Sequence, residues 1–322
     1  MNRSSSEIAF YDHHPRPADF YHEVIEGLRR RPRQIPPKFF YDEEGSRLFD
    51  AICELPEYYP TRTEIALLRE NATEMAQLMG RGCLLVEPGS GSSAKVRFLL
   101  EDVRPCVYMP MDISKDYLIR SARTLSAEYP WLDVHAACAD FTSSVQLPYV
   151  PKGVHRVAFF PGSSIGNFDP ADAVAFLSNI AQLVGKRGGL LIGVDLKKSA
   201  AILNAAYNDD QGVTAAFNLN LLKRINRELG ADFVLEGFEH RAFYNEDKGR
   251  IEMHLDSKAA QVVSIGAEHF TFEIGEGIHT ENSYKYSVDE FHQLAAKAGL
   301  VARGVWSDDE ELFSIHYLEV RD

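Results

Sequence analysis

CLLVEPGSGSS, residues 83–93, is a short apolar run that breaks into a turn of glycine and serine. Such a run, bounded by turn residues, reads as a buried strand. Gly89 and Gly91 let the backbone turn sharply and approach a ligand closely. Downstream the pattern repeats. A helix is expected over about 92–102, a strand in VYMPMDI (107–113) and a helix over roughly 115–128. Strands follow in DVHAACADF (133–141), RVAFFPGSS (156–164) and GLLIGVDL (189–196), with a helix over about 170–184 between the last two. Five buried strands separated by helices predict an α/β fold with a parallel, doubly wound sheet. Ligands of such sheets bind at the carboxyl ends of the strands.

The rhythm then changes. Residues 198–230 read as helical, and residues 232–285 as an antiparallel meander through FEHRAFYN, RIEMHLDS, QVVSIG and HFTFEIG. A helix in SVDEFHQLAAKAGL (287–300) and strands in VARGVWS and LFSIHYLEV close the chain. Residues 61–196 and 287–322 are therefore expected to form a nucleotide domain. Residues 1–60 and 197–286 are expected to form a second, α+β domain for the substrate. Upstream, residues 17–31 have helical spacing, with Pro17 placed for a helix start. The stretch from Arg29 to Glu64, rich in proline and tyrosine, reads as short wrapping pieces, and the basic run Arg29–Arg33 as a solvated helix end. The first residues, MNRSSSEIAFYDHH, lack the apolar core of a signal peptide and read as a loosely docked tail.

Lys and Arg number 34 and Asp and Glu 47, a net charge of −13, which repels phosphate backbones and argues against a nucleic-acid partner. No run has the length of a membrane span. The four cysteines, at 53, 83, 106 and 138, make no C-x-x-C pair and are read as buried, reduced thiols of a cytoplasmic protein. No strongly apolar stripe marks a self-association face, so a monomer is expected.

Gly89-x-Gly91-x-x-Ala94 also fits the dinucleotide fingerprint, so an NAD enzyme competes at this point. Three further features bear on the choice, and together they favour S-adenosylmethionine. Glu87 stands two places before the first glycine and suits a ligand with an ammonium group and no pyrophosphate. Asp112 ends the second strand and can accept both ribose hydroxyls, which serves either ligand. Asp140 and Phe141 end the third and suit adenine, one bonding its exocyclic amine and the other packing on its ring.

Longer blocks carry a specific resemblance. PPKFFYDEEGSRLFDAICELPEYYPTRTE, EPGSGSSAK, FFPGSSIGNFDP, YNDDQGVTAAFNLNLLKRINRELGADF, RIEMHL and TENSYKYS resemble the histidine Nα-methyltransferases of ergothioneine synthesis, from about residue 34 to the end. The resemblance implies a class I (Rossmann-like) methyltransferase sheet with a second α+β substrate-binding domain. It implies that Gly89, Lys95, Asp112, Asp140 and Phe141 contact S-adenosylmethionine, Lys95 through the methionyl carboxylate. Tyr58, Gly162, Asn167 and Tyr207 would contact the amino-acid end of histidine. Glu281 and Ser283 would hold the imidazole, with Tyr41 and Met253 lining the same pocket. Pro88 departs from the aliphatic residue usual between the Glu and the Gly, and Ser92-Ser93-Ala94 departs from the usual run before the lysine.

Methyl transfer from a sulfonium is an in-line displacement with a neutral leaving group, so alignment is the main task. It needs neither a metal nor a covalent nucleophile, and no metal-ligand spacing is present. The attacking amine must be neutral; Tyr58 and Asn167 are the residues expected to orient its lone pair, neither being a strong base. As methyls accumulate the amine loses its donors, so anchoring must come from the carboxylate, through Asn167 and Tyr207, and from the imidazole, through Glu281 and Ser283. The expected reaction is conversion of histidine to its trimethylated betaine, hercynine. A methyltransferase for tryptophan or a derivative is the alternative; Glu281 and Met253 speak against it. An NAD-dependent dehydrogenase and a non-catalytic adenosylmethionine binder are the more distant ones.

Overall fold

The computed structural model describes residues 8–13, 20–141 and 146–321. In chain order its elements are β1 (Ala9–Asp12), α1 (Phe20–Arg29), β2 (Arg33–Gln34), α2 (Glu43–Cys53), α3 (Tyr59–Met79), β3 (Leu84–Pro88), α4 (Arg97–Val103), β4 (Val107–Asp112), α5 (Lys115–Glu128), β5 (His135–Cys138), β6 (Arg156–Phe160), α6 (Pro170–Val184), β7 (Gly189–Asp195), α7 (Ala200–Tyr207), α8 (Val213–Leu229), β8 (Phe238–Asn245), β9 (Arg250–Ser257), β10 (Gln261–Ile265), β11 (Glu268–Phe272), β12 (Gly277–Tyr284), α9 (Val288–Lys297), β13 (Leu300–Ser307) and β14 (Phe313–Val320). The chain divides into two compact units. One comprises Met1–Pro15, Thr63–Leu196 and Tyr286–Asp322; the other comprises Arg16–Arg62 and Lys197–Lys285.

The first unit is built on a sheet of order β1-β5-β4-β3-β6-β7-β14-β13. Strands β5, β4, β3, β6 and β7 run parallel, as the strand–helix alternation predicts, and β14 pairs antiparallel with both β7 and β13. Both faces are covered, so successive residues of one strand enter different cores. Leu85 packs with Leu67, Met75, Leu99 and Leu125 from the helices, while Leu84 and Val86 pack with Val107, Met109 and Met111. Ser287 caps α9 in a reciprocal capping box with Glu290.

The N-terminal segment differs from the loose tail expected. Ala9–Asp12 pairs in parallel with His135–Cys138 and adds an edge strand. AFYD is too short to signal a strand by itself; the unpaired edge of β5 supplies the partner. Pro17 lies outside the described residues, and the helix expected there runs over Phe20–Arg29.

The second unit contains a sheet of order β2-β12-β9-β8 and a separate β10–β11 hairpin. The expected meander is thus interrupted: β12 passes beyond the hairpin to pair with β9, and β2 joins its far edge in parallel. Asn218 of α8 ties the sheet together. Its amide donates to the His254 carbonyl (2.9 Å) and the His240 ring (2.9 Å), and its carbonyl accepts from Thr280 Oγ1 (2.8 Å).

Arg33 corrects the reading of the basic run as a solvated helix end. It is only 2% exposed. Its guanidinium pairs with Glu276 (2.8 Å), donates to the Thr271 and Leu28 carbonyls, and lies 4.4 Å from the Phe272 ring centroid. A buried cation needs that many partners, and apart from Leu28, five positions back, they come from residues more than 230 positions away. Among the cysteines, Cys83 and Cys138 are buried and Cys53 partly so, but Cys106 is exposed; all four are free thiols. No helix is long and apolar enough to cross a membrane among the described residues.

Candidate active site

In the first unit the sequence-predicted residues collect at the carboxyl ends of the parallel strands. Gly89 (φ +66°) and Gly91 (φ +49°) form the turn after β3. A Cβ at Gly89 would stand 3.0 Å from the Phe141 ring, so glycine is needed there for φ and for space. Asp112, ending β4, accepts from the Gly91 amide (3.2 Å) and the Ser114 amide (2.9 Å), which ties the turn to the carboxylate expected to take a diol. Phe141 sits edge-on to Phe160 and Phe176 at 6.2 and 6.4 Å; Asp140, beside it, is exposed.

Pro88 does not disturb this turn. The Leu84 amide bonds the His155 carbonyl toward β6, so alternation points the amide of residue 88 the same way. Proline has none, and the β3–β6 register ends two residues earlier, at Val86–Ala158. The other side is intact: Pro88 aligns with Met111, and the Ser90 amide bonds the Met111 carbonyl.

Glu87 is 2% exposed, and the Tyr108 hydroxyl donates to it. Burial pushes its carboxyl up to about 8, against the hydrogen bond and the Lys95 charge. Glu64, absent from the sequence reading, organises the same rim. It is 1% exposed, pairs with Lys95 Nζ at 2.5 Å and accepts from the Gly162 amide at 2.8 Å. Lys95 and Gly162, expected on a ligand, are thus held by one carboxylate of the protein. Asn167 ends the turn Ser164–Asn167, and its side-chain amide makes no hydrogen bond among the described residues.

The second unit gathers the residues expected around the imidazole. Tyr41 lies 5.7 Å from Phe49 and 5.8 Å from Phe217, and Phe49 lies 6.4 Å from Tyr58, which lies 6.3 Å from Tyr207. Two carboxylates set the backbone. Asp42 caps α2 through the Gly45 amide (2.7 Å) and pairs with Arg227 (2.6 Å), fixing the residue after Tyr41. Asp209 accepts from the Val213 and Thr214 amides, both at 2.8 Å, fixing the turn after Tyr207.

Glu281 and Ser283 lie two apart on β12, hence on one face, with Met253 opposite Glu281 on β9. Tyr207 Oη is 2.9 Å from Ser283 Oγ. Burial pushes the Glu281 carboxyl up to about 7, and the Lys285 charge draws it back. Among the described residues this carboxyl has no hydrogen-bond partner, and the residue is half-buried. A carboxyl in that setting is free to accept from a ligand. Burial also holds the Tyr58 phenol well above its usual 10, so it keeps its proton at neutral pH.

The sequence reading missed Phe49, Phe217 and Lys285 in this cluster. Only Lys285 had a signal, its two-residue spacing from Glu281 and Ser283. Nearby, Glu252, His254 and His279 offer ligand atoms within 4.8 Å of one another. Arg250 engages Glu252 at 2.7 Å, however, and the two rings stack at 4.7 Å with planes 14° apart, so their lone pairs do not converge. That group reads as a polar network.

A family profile described as "Histidine-specific methyltransferase, SAM-dependent" matches residues 20–320. The chain is 42% identical over 293 residues to a histidine N-alpha-methyltransferase of Mycolicibacterium smegmatis, covering 89% of this chain and 90% of that protein. It is 32% identical over 299 residues to ergothioneine biosynthesis protein 1 of Neurospora crassa, covering 89% of this chain and 33% of that longer protein. A 4-dimethylallyltryptophan N-methyltransferase of Epichloe festucae var. lolii is 28% identical over 312 residues, 89% of this chain and 90% of that one.

Proposed function

The chain belongs to the histidine-specific, S-adenosylmethionine-dependent methyltransferases, and from that premise we propose that it methylates the α-amine of free L-histidine, successively to hercynine, as a step of ergothioneine synthesis. The observation that carries the choice of substrate is the half-buried carboxyl of Glu281, without a hydrogen-bond partner among the described residues, beside Ser283. It suits an imidazole N–H, and it penalises an amino acid whose side chain brings no donor. The indole of tryptophan also carries an N–H, but Ser283 would then face carbon.

When bound, adenosylmethionine supplies a methyl group already activated on a sulfonium. In this reading Gly89, Asp112, Asp140 and Phe141 hold the adenosyl part, and Lys95 exchanges some of its hold on Glu64 for the methionyl carboxylate. The first unit thus serves the cofactor and the second the substrate's side chain. Glu281 and Ser283 fix the imidazole, with Tyr41 and Met253 lining the pocket. Gly162, Asn167, Tyr58 and Tyr207 serve the amino-acid end. That methyl would be offered to the neutral amine with sulfur as the leaving group, and in the first two transfers a proton of the amine would leave to water. Tyr58 keeps its proton, so its part, like that of Asn167, is orientation of the lone pair rather than general base catalysis. A cytoplasmic monomer belongs to the same reading, supported by four free thiols and the net charge of −13.

The test is mass spectrometry of products from purified protein, adenosylmethionine and a panel of free amino acids. Histidine alone is expected to gain methyl groups, up to three. Methylation of tryptophan and not histidine would refute the assignment of Glu281 and leave the cofactor assignment standing.

A further inference from the structure

Strand β12 does not keep step with its neighbour β9. His279 pairs with His254 and Glu281 with Met253, so Thr280 is one residue more than β9 can match. This is a β-bulge, and it stands immediately before the carboxylate assigned to the substrate. The two faces of the strand pair differ in character. One carries Ile251, Met253 and Leu255 of β9, all buried, with Ile278 of β12. The other carries Arg250, Glu252 and His254, with His279, Asn282 and Tyr284. There Arg250 pairs with Glu252 (2.7 Å) and donates to the Tyr284 hydroxyl (2.7 Å), and the rings of His254 and His279 stack at 4.7 Å.

Side chains alternate along a strand, so a shift of one residue moves everything beyond it to the opposite face. Continued past His279 without the bulge, the register would set Thr280 against Met253, Glu281 against Glu252 and Ser283 against Arg250. Glu281 and Ser283 would then lie on the polar face, with two carboxylates directly opposed, which is unfavourable. With the bulge both lie on the face of Met253. The extra residue is also pinned. The Thr280 side chain is buried, with its hydroxyl 2.8 Å from Asn218 Oδ1 and 3.1 Å from the Met253 carbonyl oxygen. Asn218 is buried too, and its bonds to the His240 ring and the His254 carbonyl fix it on the sheet. All of these residues belong to the second unit.

We propose that Thr280, pinned by Asn218, is a positioning residue for substrate recognition: it holds the bulge that turns Glu281 and Ser283 to the Met253 face, where the substrate ring is bound. This rests on the assignment of Glu281 and Ser283 to the imidazole. Thr280 acts through the backbone and need not touch the substrate. Without its hydroxyl, Asn218 Oδ1 and the Met253 carbonyl lose the donor they share. The extra residue is then free to shift along β12, and Glu281 is no longer held at one aim. Preference for a ring N–H is thus set by a register step as well as by the carboxylate itself.

The test measures calorimetric Kd values for histidine at pH 8 with wild type, Thr280→Val, Glu281→Gln and the double variant. Valine keeps the branched shape and removes the hydroxyl. Thr280→Val is expected to weaken histidine on the order of tenfold, with adenosylmethionine affinity unchanged. The loss is expected to be much smaller when residue 281 is already glutamine, because the carboxylate whose aim is disturbed is then gone. Thr280→Ser, which keeps the hydroxyl, is expected to bind histidine as the wild type does. Thr280→Ala carries the same cycle should the valine variant lose its native melting transition. Equal losses in both backgrounds would overturn the role of Thr280 alone. A wild type that binds no histidine would overturn the substrate assignment, and the proposal with it.

Discussion

Replacing Glu281 by glutamine removes the charge and keeps the shape. The Glu281 carboxyl is raised from its ordinary 4.5 to about 7 by burial. That difference of about 2.5, at about 1.36 kcal/mol per pH unit, disfavours the ionised form by about 3 kcal/mol in the free protein. An imidazole N–H that donates to the carboxylate recovers part of this. Hydrogen bonds to charged groups contribute about 1.5–3 kcal/mol, so Glu281→Gln is expected to weaken histidine binding roughly 10- to 150-fold at pH 8. The sign of the pH dependence follows. Below about pH 7 the wild-type carboxyl binds a proton and resembles the amide. The ratio of the two Kd values should therefore fall toward one as pH drops to about 5.5. Because the ligand's own titration enters both values alike, it cancels in the ratio. Isothermal titration of both proteins across this range is the assay. A ratio that stays flat with pH, or that is near one at pH 8, would refute the argument.

Three further outcomes are expected. Glu87 is raised to about 8 in the fold from an ordinary 4.5, so the folded state prefers the neutral acid and stability falls as pH rises from about 4.5 to about 8. Urea midpoints of Glu87→Gln should lose that part of the fall, at most about 1.4 kcal/mol per pH unit. Gly89→Ala sets a Cβ at a φ of +66° and 3.0 Å from Phe141, so adenosylmethionine affinity is expected to drop at least tenfold and stability by about 1–2 kcal/mol; unchanged calorimetric binding would contradict the cradle. Glu64→Ala leaves Lys95 and the Gly162 amide without their shared acceptor, and thermal melting is expected to report a loss of about 2 kcal/mol.

Much of the fold was legible because it is encoded locally. Buried parallel strands read as apolar runs, helices as 3.6-residue periods and turns as glycine; the helices at 115–128 and 170–184 came out with those bounds. The first helix after β3 begins at Arg97 rather than about 92, since residues 92–96 are spent on the turn that Gly91 opens. Edge strand β1 was not legible, because four residues next to a free sheet edge carry no period of their own.

By itself the sequence determined the alternation of strand and helix, the glycine turn, and the acidic and aromatic residues at strand ends. Each of these is a property of neighbours along the chain. The tertiary structure alone decided that Glu64 holds Lys95 and Gly162, that Arg33 is enclosed, and that Lys285 lies against the hydroxyls of Tyr207 and Ser283. Glu64, Arg33 and Tyr207 find partners between 31 and 243 positions away. Whether a charged side chain is solvated or buried against a partner depends on what folding brings to it, and composition and spacing do not carry that.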